Sequence, residues 1–110
     1  MKKVINKQLW INQEEGLYTL GVTNAGQDDF GSIAFITLPK VGEVLNAGET
    51  FAELEAEKAV TELVTPITGK VASINQEALA DASVLDAKNE NFAWIIKLSD
   101  VDEKEFVNLV

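Results

Sequence analysis

The chain has 110 residues, with no Cys, no His and no Arg; nine Lys face eighteen Asp and Glu, for a net charge of −9. These absences exclude a disulfide framework, thiolate chemistry and the usual neutral-pH general base, and the charge opposes binding to nucleic-acid phosphates. With 46% apolar residues, the chain is expected to fold as one domain over residues 1–110 around a single core. No apolar run approaches the ~18 residues that span a bilayer. Met1-Lys2-Lys3 has no apolar secretion-signal stretch behind it. A cytoplasmic protein without membrane contact is the expectation.

Most of the chain reads as short strands between turns. Leu9-Trp10-Ile11 and Leu17–Val22 flank the turn composition Asn12–Gly16, which predicts a hairpin over 9–22. Thr23–Asp29 has room for one helical turn, capped by Thr23 or Asn24. Ser32–Leu38 is rich in β-formers and stops at Pro39. Strands follow at 41–45, from Phe51, at 60–65 and at 70–74. Asn75 is placed to cap a short helix over Gln76–Ala82, with Ala78, Leu79 and Ala82 on one side of it. Phe92–Leu98 is the last strong strand. Ser99-x-x-Asp102 has the form of a capping box opening a final helix with Phe106, Leu109 and Val110 as its stripe. The predicted core includes Trp10, Leu20, Val22, Ile33, Phe35, Val44, Phe51, Leu54, Leu63, Val71, Ile74, Trp94 and Ile96.

One internal echo stands out. Pro39-x-x-Gly42-Glu43-Val44 and Pro66-x-x-Gly69-Lys70-Val71 share a pattern 27 residues apart. Turns reuse Pro and Gly for their fixed and positive φ. A duplicated strand-turn-strand unit, pairing two similar sheets face to face, is the other reading.

Between the copies lies the most informative segment. Ala52, Leu54 and Ala56 alternate with Glu53, Glu55 and Glu57, the period of a half-buried strand with carboxylates facing water. The outgoing stretch from Ala59 to Thr65 is apolar and β-branched. A tight turn centred on Glu57-Lys58 sets the Lys58 amine at an exposed tip. Taken alone, such a lysine is a solvated surface charge. Neighbouring glutamates favour its charged form, which argues against a nucleophilic Schiff-base role. An acceptor role remains open if a separate ligase supplies the activation.

The stretch resembles the lipoyl-attachment motif of 2-oxoacid dehydrogenase lipoyl domains and glycine cleavage H proteins. Gly42 stands sixteen residues before Lys58, and Leu45, Phe51 and Leu54 fill apolar positions between. Ala59-Val60 follow the lysine, then Leu63, Gly69 and Val71 at five, eleven and thirteen residues beyond it. In this motif each Gly serves a turn and each apolar position packs a sheet. Similarity to the H protein extends further, through Gly21-Val22-Thr23, Gln27, Gly31, Ile33, Leu38-Pro39-x-Val41-Gly42, Ala47-Gly48-Glu49, Glu55-x-x-Lys58 and Trp94. A biotin carrier fits less well, since that family favours Met on both sides of the lysine and this chain has Glu57 and Ala59.

The resemblance implies a mainly β fold: a flattened barrel-sandwich of two antiparallel sheets, the lipoyl-type hammerhead, with an N-terminal hairpin and short peripheral helices. It implies a non-catalytic carrier with lipoate amide-linked to Lys58, turns at Gly42 and Gly69, and recognition through Glu55, Glu57 and Ala59. A lipoate ligase or lipoyl transferase and dithiolane-using enzymes are the implied partners, with no metal. Departures from the H-protein pattern are Ala56-Glu57 for Ser-Val, Gln8-Leu9-Trp10 for His-Glu-Trp, Ala25-Gly26 for Tyr-Ala, and Asn89–Phe92 in place of Pro-Tyr-Gly. They point to an H-protein-like variant outside standard glycine cleavage, a redox arm or a lipoyl relay. Some such variants are linked with an ADP-ribosylating sirtuin and a macrodomain hydrolase. The alternatives are an authentic glycine-cleavage carrier of the aminomethyl group and an unmodified interaction domain.

Overall fold

The computed structural model describes residues 1–109. Among them, nine strands form two antiparallel sheets, and neither closes into a barrel. The larger sheet takes β1 (Lys2–Ile5), β2 (Leu9–Glu14), β3 (Leu17–Val22), β5 (Val44–Leu45), β8 (Gly69–Ile74) and β9 (Trp94–Ser99), in the order β1-β2-β3-β9-β8-β5. The smaller one is β4 (Ile33–Thr37), β6 (Thr50–Ala56) and β7 (Val60–Val64), in the order β4-β6-β7. Three short helices, α1 (Asn24–Phe30), α2 (Gln76–Ala80) and α3 (Glu103–Val107), lie between or after strands. The expected β architecture with peripheral helices is what the chain adopts.

The core gathers side chains from both sheets: Leu20, Val22, Leu54, Leu63, Val71, Ile95, Ile96 and Leu98 are almost solvent-free. Phe30 and Phe106, from α1 and α3, are sealed in with them. Burial of such side chains contributes about 1.5–3 kcal/mol each, which is what makes the two-sheet arrangement hold.

Several expectations fail for identifiable reasons. Phe35 is 56% exposed and Val44 61% exposed. A register shift between Ile33 and Phe35 inserts an extra residue in β4, so Ile33 and Ile36 both face inward and Phe35 turns to solvent. Val44 sits on the two-residue strand β5 at the sheet edge, where nothing covers it. Ile74 and Trp94 are only half-buried, and Lys97 stands over the Trp94 ring at 5.1 Å. Trp10 is buried, with its indole N–H donating to the Val22 carbonyl at 3.1 Å.

The first hairpin turn is narrower than its composition implied. Strand β2 runs to Glu14, and Glu15-Gly16 alone make the turn, both with positive φ. Strand β1 lacks strong sequence signals and pairs with β2 all the same. Helix α2 ends at Ala80, and Leu79 points outward while Ala78 and Ala82 point in. Asn75 makes no side-chain cap there; its amide donates instead to the Trp94 carbonyl at 2.8 Å. At α3 the cap is Asp102, bonded to the Lys104 N–H, and not Ser99. Phe106 is buried and Leu109 half-buried; Val110 lies outside the described residues.

The two echo segments do not form facing sheets. They lie side by side in one sheet, with Val44 opposite Lys70 and Leu45 opposite Gly69. The Gly42 N–H donates to the Val71 carbonyl at 2.7 Å, and the Val71 N–H to the Glu43 carbonyl at 2.8 Å. Gly42 has φ of 93°, a turn conformation that suits glycine. Gly69 serves no turn; it opens β8, where a Cβ would lie 2.8 Å from the Val101 side chain.

Candidate functional site

Strands β6 and β7 form the expected hairpin, and Lys58 sits at its tip, exposed. Ala56 N–H donates to the Ala59 carbonyl at 2.9 Å and closes a two-residue loop of Glu57 and Lys58. Neither loop residue has positive φ. The self-sufficient two-residue hairpin turns need it, so this loop takes its shape from elsewhere.

The shape comes from the end of α1. Glu57 N–H donates to the Ser32 carbonyl, and Lys58 N–H to the Phe30 carbonyl, each at 2.9 Å. The Lys58 ammonium reaches the Asp28 carbonyl at 2.9 Å. The carbonyls at a helix C-terminus lack partners within the helix and carry partial negative charge. Two of the acceptors, Asp28 and Phe30, lie in the last turn of α1. The loop therefore serves as the cap of this helix, and the helix as the mould of the loop.

Gly31 makes the contact close. Its φ is 75°, and a Cβ there would meet the Glu57 carboxylate at 2.8 Å and the Glu57 Cβ at 3.1 Å. Gly31→Ala should lower stability by about 1–3 kcal/mol through backbone strain and displacement of Glu57. Urea melts test it, and an unchanged midpoint would show that the loop has room to yield.

Helix α1 is in turn stitched to the segment after α2. The Gln27 amide donates to the Leu85 and Ala87 carbonyls, both at 2.8 Å. The Asn24 amide donates to the Lys88 carbonyl at 3.0 Å. Thr23 caps the helix through the Gly26 N–H and donates to the Lys7 carbonyl. Asp86 accepts from the Ile33 N–H at the start of β4. Burial pushes the Asp86 carboxyl up, with the Ile33 N–H opposing.

Glu90 holds the other end of α1, accepting from the Asn24 N–H and pairing with Lys2 at 3.2 Å. The Asn24 N–H, assisted by Lys2, holds its carboxyl below the ordinary range. A depressed carboxylate stabilises the fold above its unfolded pKa, and that stabilisation is lost as pH falls through the folded value. The stability gap between the chain and Glu90→Gln should therefore be widest near neutrality and close at acid pH. Urea melts across pH check this; a gap that widens on acidification contradicts it.

The predicted recognition residues surround the lysine. Glu55, Glu57 and Ala59 are all exposed, and Glu55 lies opposite Val60 in the hairpin. Despite these carboxylates, none lies within 4 Å of the Lys58 ammonium; among the described residues the one ion pair is Lys2–Glu90. An amide formed at this nitrogen keeps one N–H, so acylation leaves a donor for the Asp28 carbonyl. An exposed amine, held by one backbone carbonyl and by no carboxylate, on a moulded turn fits a covalently attached acyl group. No cluster of three metal-ligating side chains occurs among the described residues. Phe30-Gly31 carries the sequence signal of a helix C-terminal stop, but nothing local marks the strap 28–32 as a partner of the Lys58 loop.

The family model for the glycine cleavage H-protein matches residues 2–110. The chain belongs to the glycine cleavage H-protein family. It is 36% identical over 101 residues to a glycine cleavage system H protein of Oceanobacillus iheyensis, covering 92% of this chain and 80% of that protein. The counterpart from Listeria innocua serovar 6a is 32% identical, with 92% and 81% covered. A crystal structure of a glycine cleavage system H protein from Mycobacterium marinum superposes with a TM-score of 0.79 at 25% identity, covering 89% of this chain and 81% of that one. H proteins are non-catalytic carriers with lipoate held covalently on a lysine. They meet a lipoate ligase and the glycine cleavage enzymes. No helix of this H-protein-family chain is long and apolar enough to cross a membrane, among the described residues.

Proposed function

We propose that this chain, as one unit over residues 1–110, carries lipoate in amide linkage on Lys58. The observation that supports it best is the lysine's seat: an exposed amine at a loop moulded by three bonds to residues 28–32. A rigid presentation of that kind suits a swinging arm. The bound dithiolane would supply redox and group-transfer chemistry; the protein contributes position. Tethering turns successive encounters within one complex into near-intramolecular events, at effective concentrations of roughly millimolar. The same reading sets Gly42 and Gly69 as scaffold positions and Glu55, Glu57 and Ala59 as the recognition surface, in a cytoplasmic setting.

Incubation with lipoate, ATP and a lipoate ligase tests the reading by intact mass. One lipoyl increment is expected; an unshifted mass supports the unmodified interaction domain instead.

The downstream role is drawn as a carrier outside standard glycine cleavage, a redox arm or a lipoyl relay. Its support is that the departures at Gln8, whose amide reaches Asp29 of α1, and at Asn89–Phe92, just before β9, alter solvent-facing positions, whereas Leu9 lies in the core. The second reading, service in glycine cleavage, is favoured by the names of its relatives. Glycine-dependent NAD reduction with the other three cleavage components separates the two, and robust turnover establishes the second. No observation favours a sirtuin or macrodomain partner, and neither is carried into this reading.

A further inference from the structure

The outer face of the three-stranded sheet carries a feature that its core packing does not require. Phe35, Glu55 and Val60 form one row across β4, β6 and β7. Phe35 is 56% exposed and Val60 is 66% exposed. The bulge in β4 is what turns Phe35 outward. Bulges of this kind re-aim a side chain, often beside a functional site. Here the row stands next to the Lys58 loop: Val60 is two residues after the lysine, and Glu55 three before it.

The surrounding charge selects the occupant. The neighbouring row holds Thr37, Glu53 and Glu62, and β4, β6 and β7 contain no lysine. A second copy of this chain would bring the same carboxylates and be repelled. An apolar pair framed by glutamates instead fits a cationic surface around an apolar socket.

Position selects the kind of enzyme. An enzyme that uses the loaded arm meets the dithiolane at the arm's far end. The enzyme that loads the arm must bring its reacting centre to the Lys58 nitrogen itself, and so must rest on the protein around it. We infer that the Phe35–Glu55–Val60 row is the docking surface for the lipoate-loading enzyme, with Phe35 as its apolar anchor. This rests on Lys58 being the acceptor. In the step it serves, a base on the enzyme takes one proton from the Lys58 ammonium. The nitrogen then attacks the carbonyl of lipoyl adenylate, made from lipoate and ATP with release of pyrophosphate; the N–C bond forms, the C–O bond to AMP breaks, and the second nitrogen proton passes to solvent, leaving one N–H on the amide.

The test is the initial rate of lipoyl addition, by intact mass, against carrier concentration with lipoate, ATP and a purified lipoate ligase. For Phe35→Ser the KM should rise about tenfold with kcat within about twofold, since an anchor made before chemistry contributes uniform binding. Phe35→Leu should recover most of the loss, Val60→Thr should show a smaller rise, and added salt should raise the KM of the unaltered chain. Val107→Ser, exposed on α3, should load normally. Matched urea midpoints show that the variants are folded. If Phe35→Ser loads with unaltered KM, or loses kcat alone, the docking surface is wrong while Lys58 stands as acceptor. If the unaltered chain gains no mass, the carrier reading falls and the docking surface with it.

Discussion

Lys58→Arg should abolish lipoyl addition completely while leaving the fold intact. Arginine keeps the positive charge and reaches a similar distance, so the Asp28 carbonyl still has a donor. The backbone bonds from Glu57 to Ser32 and from Lys58 to Phe30 do not depend on the side chain. A guanidinium, however, stays protonated at any working pH and offers no amine lone pair. Intact mass after incubation with ligase, lipoate and ATP should show no increment, and urea melts should overlay within about 0.5 kcal/mol. A lipoyl increment that survives the substitution places the acceptor elsewhere among the lysines and removes the basis of the functional reading.

Phe30→Ala should cost about 3–5 kcal/mol, because the ring is 1% exposed within the core and its loss leaves a cavity. The effect has a second part. Helix α1 has seven residues, too short to persist without tertiary support. Phe30 is its deepest anchor, and the Phe30 carbonyl is the acceptor for the Lys58 N–H. In chains that remain folded, the loop should lose its mould, and lipoyl addition should slow. Phe30→Leu, which refills much of the space, should recover most of both properties. A loss below about 1 kcal/mol in urea would show that the site collapses around the gap and that α1 is held by other means.

The strands were legible wherever local pattern and burial agree. Leu54 and its alternating glutamates define β6, and Pro39 and Pro66 mark breaks between strands. The Lys58 hairpin was legible because both its strands and its loop are contiguous. Phe35 was misplaced because a bulge shifts the phase of alternation by one residue, and nothing in Ile33-Ala34-Phe35-Ile36 distinguishes the two phases. Strand β1 has no local signature, because Lys2 and Lys3 mask its period. Lys3 is used far away: its ammonium takes the carbonyls of Phe106, Val107 and Leu109 at 2.7–3.0 Å and so closes α3. The contacts of residues 28–32 with the loop span 25 to 30 positions and leave no periodic trace. For the same reason the support from Asp86 and Gln27 could not be read in advance.

A loop without its own turn chemistry also bears on how this acceptor can be moved between proteins. A peptide cut from residues 50–64 would retain the lysine and its glutamates but lose the carbonyls that bend the chain around it. Transplanting the acceptor as a tag therefore requires Asp28 to Ser32 and a scaffold to orient them, so its smallest portable form is a folded body rather than a linear epitope.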